Sequence, residues 1–371
     1  MNKITFKLKQ HFFLLICCFV FLSINAQPQT LSEKAEISVI TCGTGEEMYT
    51  LFGHTALRIQ DVDQNLDVVY NWGMFDFKTP NFLAKFVKGD LLYYLDVDRF
   101  SDFVYSYQAD NRSVISQELN LTYEQKSKIW TEINRQLTSN DRYYTYSFIH
   151  NNCTTKVVDV LNKTLQQPLI TDFPSNNHSY RYILNEGLDN HYFEKLGINL
   201  LFGYSTNKQA ELMFLPVKLK DGLEYNKTIV KSTENIFTPN SVSKSFSFNS
   251  VYTLWAIVIA IAALAMFKKI RFAYFVVIAV FSLFLVAVTF YTHHVELYFN
   301  ALILFFNPLF IVALISKNKK VFIAGLFVTI ASLFFMGLEL IMVMLPLVVL
   351  NFVIIGITIA SFKKGVVHLR A

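Results

Sequence analysis

The sequence predicts an α+β domain outside a membrane, over residues 27–231, and a five-helix all-α bundle within it, over residues 248–371. A linker at 232–247 would join them. Three observations carry this reading. Only 16% of the 371 residues are charged and 53% are hydrophobic, against roughly 25% charged in ordinary soluble domains. The apolar residues gather into long runs after residue 248. Before that point the runs are short, alternating and aromatic, as half-buried strands require.

The first residues read as a targeting signal at 1–26. Lys3, Lys7 and Lys9 form a positive start, Phe12 to Ile24 an apolar core, and Ser23-Ile24-Asn25-Ala26 a small-residue cleavage site before Gln27. An uncleaved anchor is the alternative. Cleavage would remove Cys17 and Cys18, leaving Cys42 and Cys153. Two cysteines in an exported domain first suggest a disulfide.

Ala35 to Thr41 alternates and predicts a strand. Cys42-Gly43-Thr44-Gly45 predicts a turn, and His54 opens a second strand. An Asp-Asn turn at 61–65 leads to a third strand, Leu66 to Trp72, so the pair reads as a hairpin. Phe75 to Phe82 is an aromatic loop, and Leu91 to Val97 is another strand. Thr122 and Gln125 form a capping box for a helix to Leu137, with Ile129, Ile133 and Leu137 on one face. Residues 166–230 give no clear pattern, apart from a loop at Ser175 to His178. Ser232 to Ser250 is rich in Ser, Thr and Asn, which predicts the linker.

Phe248–Phe267, Phe272–Tyr291 and Leu297–Ile315 are each long enough to cross about 30 Å of hydrocarbon. Val321–Phe362 holds two more crossings with a turn near Glu339 to Pro346. With five crossings, Lys268, Lys269 and Arg271 share a side with Lys317, Lys319, Lys320, Lys363, Lys364 and Arg370. Positive charge marks that side as cytoplasmic. The C-terminus is then inside, the soluble domain periplasmic, and His293, His294, Glu296 and Glu339 lie on the outer side. The net charge of +5 is explained by this topology, so no nucleic-acid partner is expected.

The chemistry centres on Tyr146 to Leu161. A strand-like aromatic run stops at two Asn, and Cys153 then opens a helix with Val157, Val158, Leu161 and Leu165 at helical spacing. A thiol in a first helical turn lies among free N–H groups at the positive end of the dipole, and both favour thiolate. His54 is the candidate base and Cys153 the nucleophile. Asn71, on the next strand, is either the group that orients the imidazole or an ordinary strand-end Asn. His150 is a rival base or a local structural contact. A His on an early strand and a Cys opening a later helix suggest a circularly permuted papain-like arrangement. His293 and His294 would contact a lipid phosphate, bind metal, or sit as plain interface residues. No spacing of His293, His294, His178 and His191 makes a zinc site, so neither metal nor cofactor is expected.

Several segments together resemble the Lnb-type lipoprotein N-acyltransferases of Bacteroides. They are Ser38-Val39-Ile40-Thr41-Cys42-Gly43, Glu46-Glu47-Met48-Tyr49, Phe52-Gly53-His54-Thr55-Ala56-Leu57-Arg58, Tyr70-Asn71-Trp72-Gly73-Met74-Phe75-Asp76-Phe77, Pro80-Asn81-Phe82, Phe86-Val87-Lys88-Gly89 and Asn152-Cys153-Thr154-Thr155. Five C-terminal transmembrane helices also suit that family. The resemblance implies an inner-membrane enzyme that moves an acyl chain from a phospholipid, through a cysteine thioester, to the α-amino group of a diacylated lipoprotein. It implies Cys153 as nucleophile, His54 as base and Asn71 as orienter, with substrate contacts expected at Arg58, Asp76 and His294. More distantly, the order His, polar residue, Cys is similar to lecithin:retinol acyltransferase-like enzymes. The alternatives are a membrane-anchored papain-like peptidase or amidase of cell-wall peptides, and a non-catalytic sensor with a Cys42–Cys153 disulfide.

Overall fold

The computed structural model describes residues 30–166, 168–169, 177–211, 213–240 and 247–363. The targeting segment, residues 170–176 of the illegible stretch, and Lys364 and Arg370 lie outside them.

Seven antiparallel strands form one sheet in the order β6-β4-β3-β2-β1-β5-β7. They are β1 (Glu36–Cys42), β2 (His54–Asp61), β3 (Leu66–Met74), β4 (Leu92–Arg99), β5 (Val114–Leu119), β6 (Tyr143–Thr145) and β7 (Val230–Phe237). Strand alternation gives the sheet two apolar faces. On one, Ile37, Val39, Leu57, Ile59, Tyr70 and Trp72 pack against later helices through Ile129, Ile133, Val157 and Leu161. On the other, Ile40, Ala56, Val69 and Val114 meet Phe103.

The helices of this part are α1 (Phe82–Lys88), α2 (Phe100–Ala109), α3 (Tyr123–Leu137), α4 (Cys153–Leu165), α5 (Tyr180–Gly187), α6 (Tyr192–Leu201) and α7 (Pro216–Tyr225). The Thr122–Gln125 capping box is formed. Three helices, α5 to α7, occupy the stretch whose pattern gave no reading. Strand β7 takes up residues 232–237 of the expected linker, and residues 241–246 of it lie outside the described ones. The strand's Ser, Thr and Glu residues face solvent at the sheet edge, where a polar strand is favoured because it discourages pairing with other chains.

The C-terminal part contains α8 (Val251–Leu264), α9 (Lys268–Tyr291), α10 (Leu302–Phe305), α11 (Leu309–Ser316), α12 (Lys319–Met336), α13 (Leu338–Val343) and α14 (Leu345–Lys363). Among the described residues, four helical segments are long and apolar enough to cross a membrane: 268–291, 295–316, 319–336 and 345–362. The expected first crossing is the shorter α8, with 14 residues. The expected Leu297–Ile315 helix is broken before α11, where Pro308 removes an N–H. The turn between the last two long helices begins at Gly337 (φ +76°), with α13 inserted after it.

The two parts are joined by hydrogen bonds at one end of the bundle. Thr292 donates from Oγ1 to the Val87 carbonyl (2.9 Å), and His293 N–H to the Lys88 carbonyl (2.7 Å). Ser179 donates to Glu339 (2.6 Å), and Asn300 to the Leu200 and Leu201 carbonyls. A shared apolar cluster adds Ile149, Tyr180, Phe202 and Phe214 to Val288 and Leu297. At the far end, Arg271 bonds the Ala265 and Met266 carbonyls and Ser361, and Phe322 meets Phe362 (5.5 Å). The described Lys and Arg residues of the bundle flank these far-end groups in sequence.

Candidate active site

Helix α4 begins at Cys153 because Asn152 caps it. The Asn152 Oδ1 accepts from the N–H groups of Thr154 (2.9 Å) and Thr155 (3.0 Å), and Thr155 Oγ1 accepts from the Asn152 N–H (2.9 Å). Such a cap contributes about 1 kcal/mol. Asn152 is itself clamped, since its Nδ2 donates to the Phe148 and Phe214 carbonyls. A second tie, Thr55 Oγ1 to Thr154 Oγ1 (3.0 Å), holds this helix start against the beginning of β2. His54 is therefore brought to Cys153 by the packing of α4 on the sheet.

The hydrogen-bond pattern fixes the tautomer. Asn71 is buried (2% exposed) and donates from Nδ2 to Asp98 Oδ2 (2.9 Å). Its carbonyl oxygen must then face His54 Nε2, which lies 3.2 Å away. An amide oxygen only accepts, so Nε2 carries the proton. The neutral imidazole is left with a basic Nδ1 for the thiol. The order of groups is Cys153, His54, Asn71, Asp98.

Burial pushes the Cys153 thiol up, but the charge and hydrogen bond of His54 outweigh it. The Thr55 N–H and the Thr154 hydroxyl help, and the thiol ends below its ordinary value. Burial pulls His54 down, while Cys153 and Asn71 raise it by more, so its net shift is upward. Both shifts move the pair toward thiolate and imidazolium, the state that attacks an acyl carbonyl. Cys42 differs. It is a free, buried thiol, and burial pushes its ionisation far above the usual range despite Tyr107 and Arg112. Cys153 is also free, so the two form no disulfide.

The other expected residues have partners of their own. Arg58 is committed to Asp67 in a two-pronged ion pair (2.7 and 2.8 Å) and to the Phe100 ring (3.6 Å). Asp76 is exposed and closes a turn by accepting from the Lys78 N–H (2.8 Å). His294 is buried, with Nε2 donating to the Phe86 carbonyl (2.9 Å) and the ring against Phe86 and Phe148. The rival base His150 is exposed and packs edge-on against Tyr180. His293 pairs with Asp90 (2.8 Å). Among the described residues no group of three or more His, Cys, Asp or Glu is placed to hold a metal ion.

Two residues escaped the reading of the chain. Asp98 follows Asp96 in the alternation of β4, and only the pairing of Val69 with Asp98 places it beside Asn71. Glu296, in the short 3-10 turn after α9, is fully buried and accepts at Oε1 from Ser147 Oγ and the Ile149 N–H (2.9 Å). It ties the bundle to the loop that carries Cys153. Its place between two predicted helices held no local clue.

Residues 25–186 match the family described as the Lnb N-terminal periplasmic domain. The matched stretch contains His54, Asn71, Asp98 and Cys153 and ends before the bundle. No curated protein and no solved structure matches the chain. Over that stretch the chain is similar to the periplasmic domain of the Lnb family. With the four apolar helices, the match indicates a multi-pass membrane protein whose N-terminal domain is periplasmic.

Proposed function

We propose that this chain is a lipoprotein N-acyltransferase that works through a Cys153 thioester. The observation carrying the reading is the Cys153–His54–Asn71–Asp98 array at a helix start that Glu296 fastens to the membrane bundle. A nucleophile held at that junction suits a donor and an acceptor that are both lipids in one leaflet.

In the first half-reaction the Cys153 thiolate attacks the ester carbonyl of a phospholipid. The S–C bond forms, the ester C–O bond breaks, and His54 gives its proton to the departing lysophospholipid oxygen. In the second, the α-amine of a diacylated lipoprotein attacks the thioester, His54 takes the amine proton, and the amide leaves Cys153 as thiolate. Asn71 orients the imidazole and Asp98 orients Asn71. No cofactor is required. The domain reads as permuted papain-like, because His54 precedes the cysteine helix packed on an antiparallel sheet.

The reading of α8 as a fifth crossing is supported by its two ends. Asn249, just before it, bonds Phe193 N–H and Glu194 beside the soluble domain. Ala265, just after it, bonds Arg271 at the far end. Its 14 residues span about 21 Å, and the flanking turns complete the crossing. The far end, with its lysines, is then cytoplasmic.

Mass spectrometry of lipoprotein N-termini from cells with and without the gene tests this function. N-acylated termini should disappear when the gene is removed and return with the wild-type gene. Unchanged N-termini, with altered cell-wall peptides instead, would overturn it in favour of a membrane-anchored amidase.

A further inference from the structure

Tyr144 is 8% exposed on β6, next to the site, and the reaction above gives it no role. Its hydroxyl is shielded from solvent, and although the Gly73 N–H lies near its oxygen, its own proton has no acceptor among the described residues. A buried hydroxyl left in this state costs about 1–3 kcal/mol, so the fold maintains it against a penalty. Gly73 shows where the hydroxyl lies. A Cβ added there would sit 3.5 Å from the Cys153 Cβ and 3.9 Å from the Tyr144 Oη. One small space, bordered by the Gly73 backbone, thus separates the nucleophile from the Tyr144 hydroxyl. Gly73 has φ +97°, where a side chain would be strained.

We propose that the Tyr144 hydroxyl is a catalytic donor to the oxyanion formed when Cys153 adds to an acyl carbonyl. This rests on the acyl-transfer reading. The C=O π pair moves onto oxygen as the S–C bond forms. The O–H of Tyr144 and the backbone N–H of Cys153, one of those a helix start cannot satisfy internally, hold that charge. The pair returns to re-form C=O as the ester C–O bond breaks and His54 protonates the leaving oxygen. Tyr144 donates a hydrogen bond throughout and transfers no proton. Burial drives its own ionisation far above the usual range, which keeps the donor protonated. The Lys156 ammonium, 4.5 Å from the ring centroid, draws charge from the ring and strengthens the donor.

The test uses full-length wild type and Tyr144→Phe in micelles containing phospholipid with a radiolabelled acyl chain. Hydroxylamine-sensitive label on Cys153 is followed in a single turnover. Iodoacetamide alkylation of Cys153, which forms no oxyanion, is measured alongside thermal unfolding. Acylation should slow about 10²–10³-fold, the usual effect of losing one such donor. Alkylation should stay within about two-fold, and the melting temperature should be little changed, since the hydroxyl's proton has no acceptor to lose. Acylation at the wild-type rate, a parallel loss of alkylation, or a variant that melts earlier or fails to fold would each overturn the assignment. If wild type forms no acyl-enzyme, the acyl-transfer reading falls and takes this one with it.

Discussion

Asp98 offers the sharpest test of how the site is built. It lies two bonds away from the base: it accepts from Asn71 Nδ2 at 2.9 Å, and Asn71 in turn faces His54 at 3.2 Å. A hydrogen bond to a charged group is worth about 1.5–3 kcal/mol. At about 1.4 kcal/mol per tenfold, Asp98→Ala should slow Cys153 acylation roughly 10–100-fold by freeing the Asn71 amide to turn its NH2 toward His54. Asp98→Asn keeps a neutral acceptor and forfeits about half that energy, so its loss should be roughly 3–10-fold. Asp98 is a positioning residue, so the pH profile should move as well. Burial, and then Asp96, raise its ionisation above the ordinary carboxylate value. Its protonation therefore contributes to the acid limb of wild-type acylation, and Asp98→Asn should lose that contribution. The folded state holds this proton more tightly than the unfolded chain. Asp98 by itself therefore favours folding at low pH and costs stability as pH rises through its folded value. Single-turnover label transfer from phospholipid, measured across pH, reads both effects. An Asp98→Ala enzyme with the wild-type rate and profile would refute the chain of orientation.

Cys153→Ala and His54→Ala should each abolish transfer, and the double variant should be no worse, because the pair acts as one unit; lipoprotein N-terminal mass spectra check this. At mildly acidic pH, iodoacetamide should label Cys153 well ahead of Cys42, since one thiol is lowered and the other pushed far up. Equal labelling would contradict the ion pair. A reporter active only in the periplasm should be silent after Ala371 and active near Val295, whereas a signal at Ala371 would mean that α8 does not cross.

The parts legible in the sequence were those set by local physics. A capping residue before an amphipathic run marks a helix start, so Cys153 at the head of α4 needed no tertiary information. Alternation and turn residues gave β1 to β3, the His54 strand among them, and apolar length with clustered lysines gave the membrane bundle. Strand β7 was hidden because an edge strand and a linker favour the same polar residues, and α8 was overestimated because apolar composition continues past the end of the helix. Asp98 and Tyr144 could not be read at all, and of Glu296 only its side of the membrane. Nothing in their neighbours distinguishes them. They matter because strand register sets Asp98 beside Asn71, because the gap at Gly73 separates Cys153 from the Tyr144 hydroxyl, and because the docking of the bundle puts Glu296 under the nucleophile loop. Those distances join residues far apart in the chain, and only packing decides them.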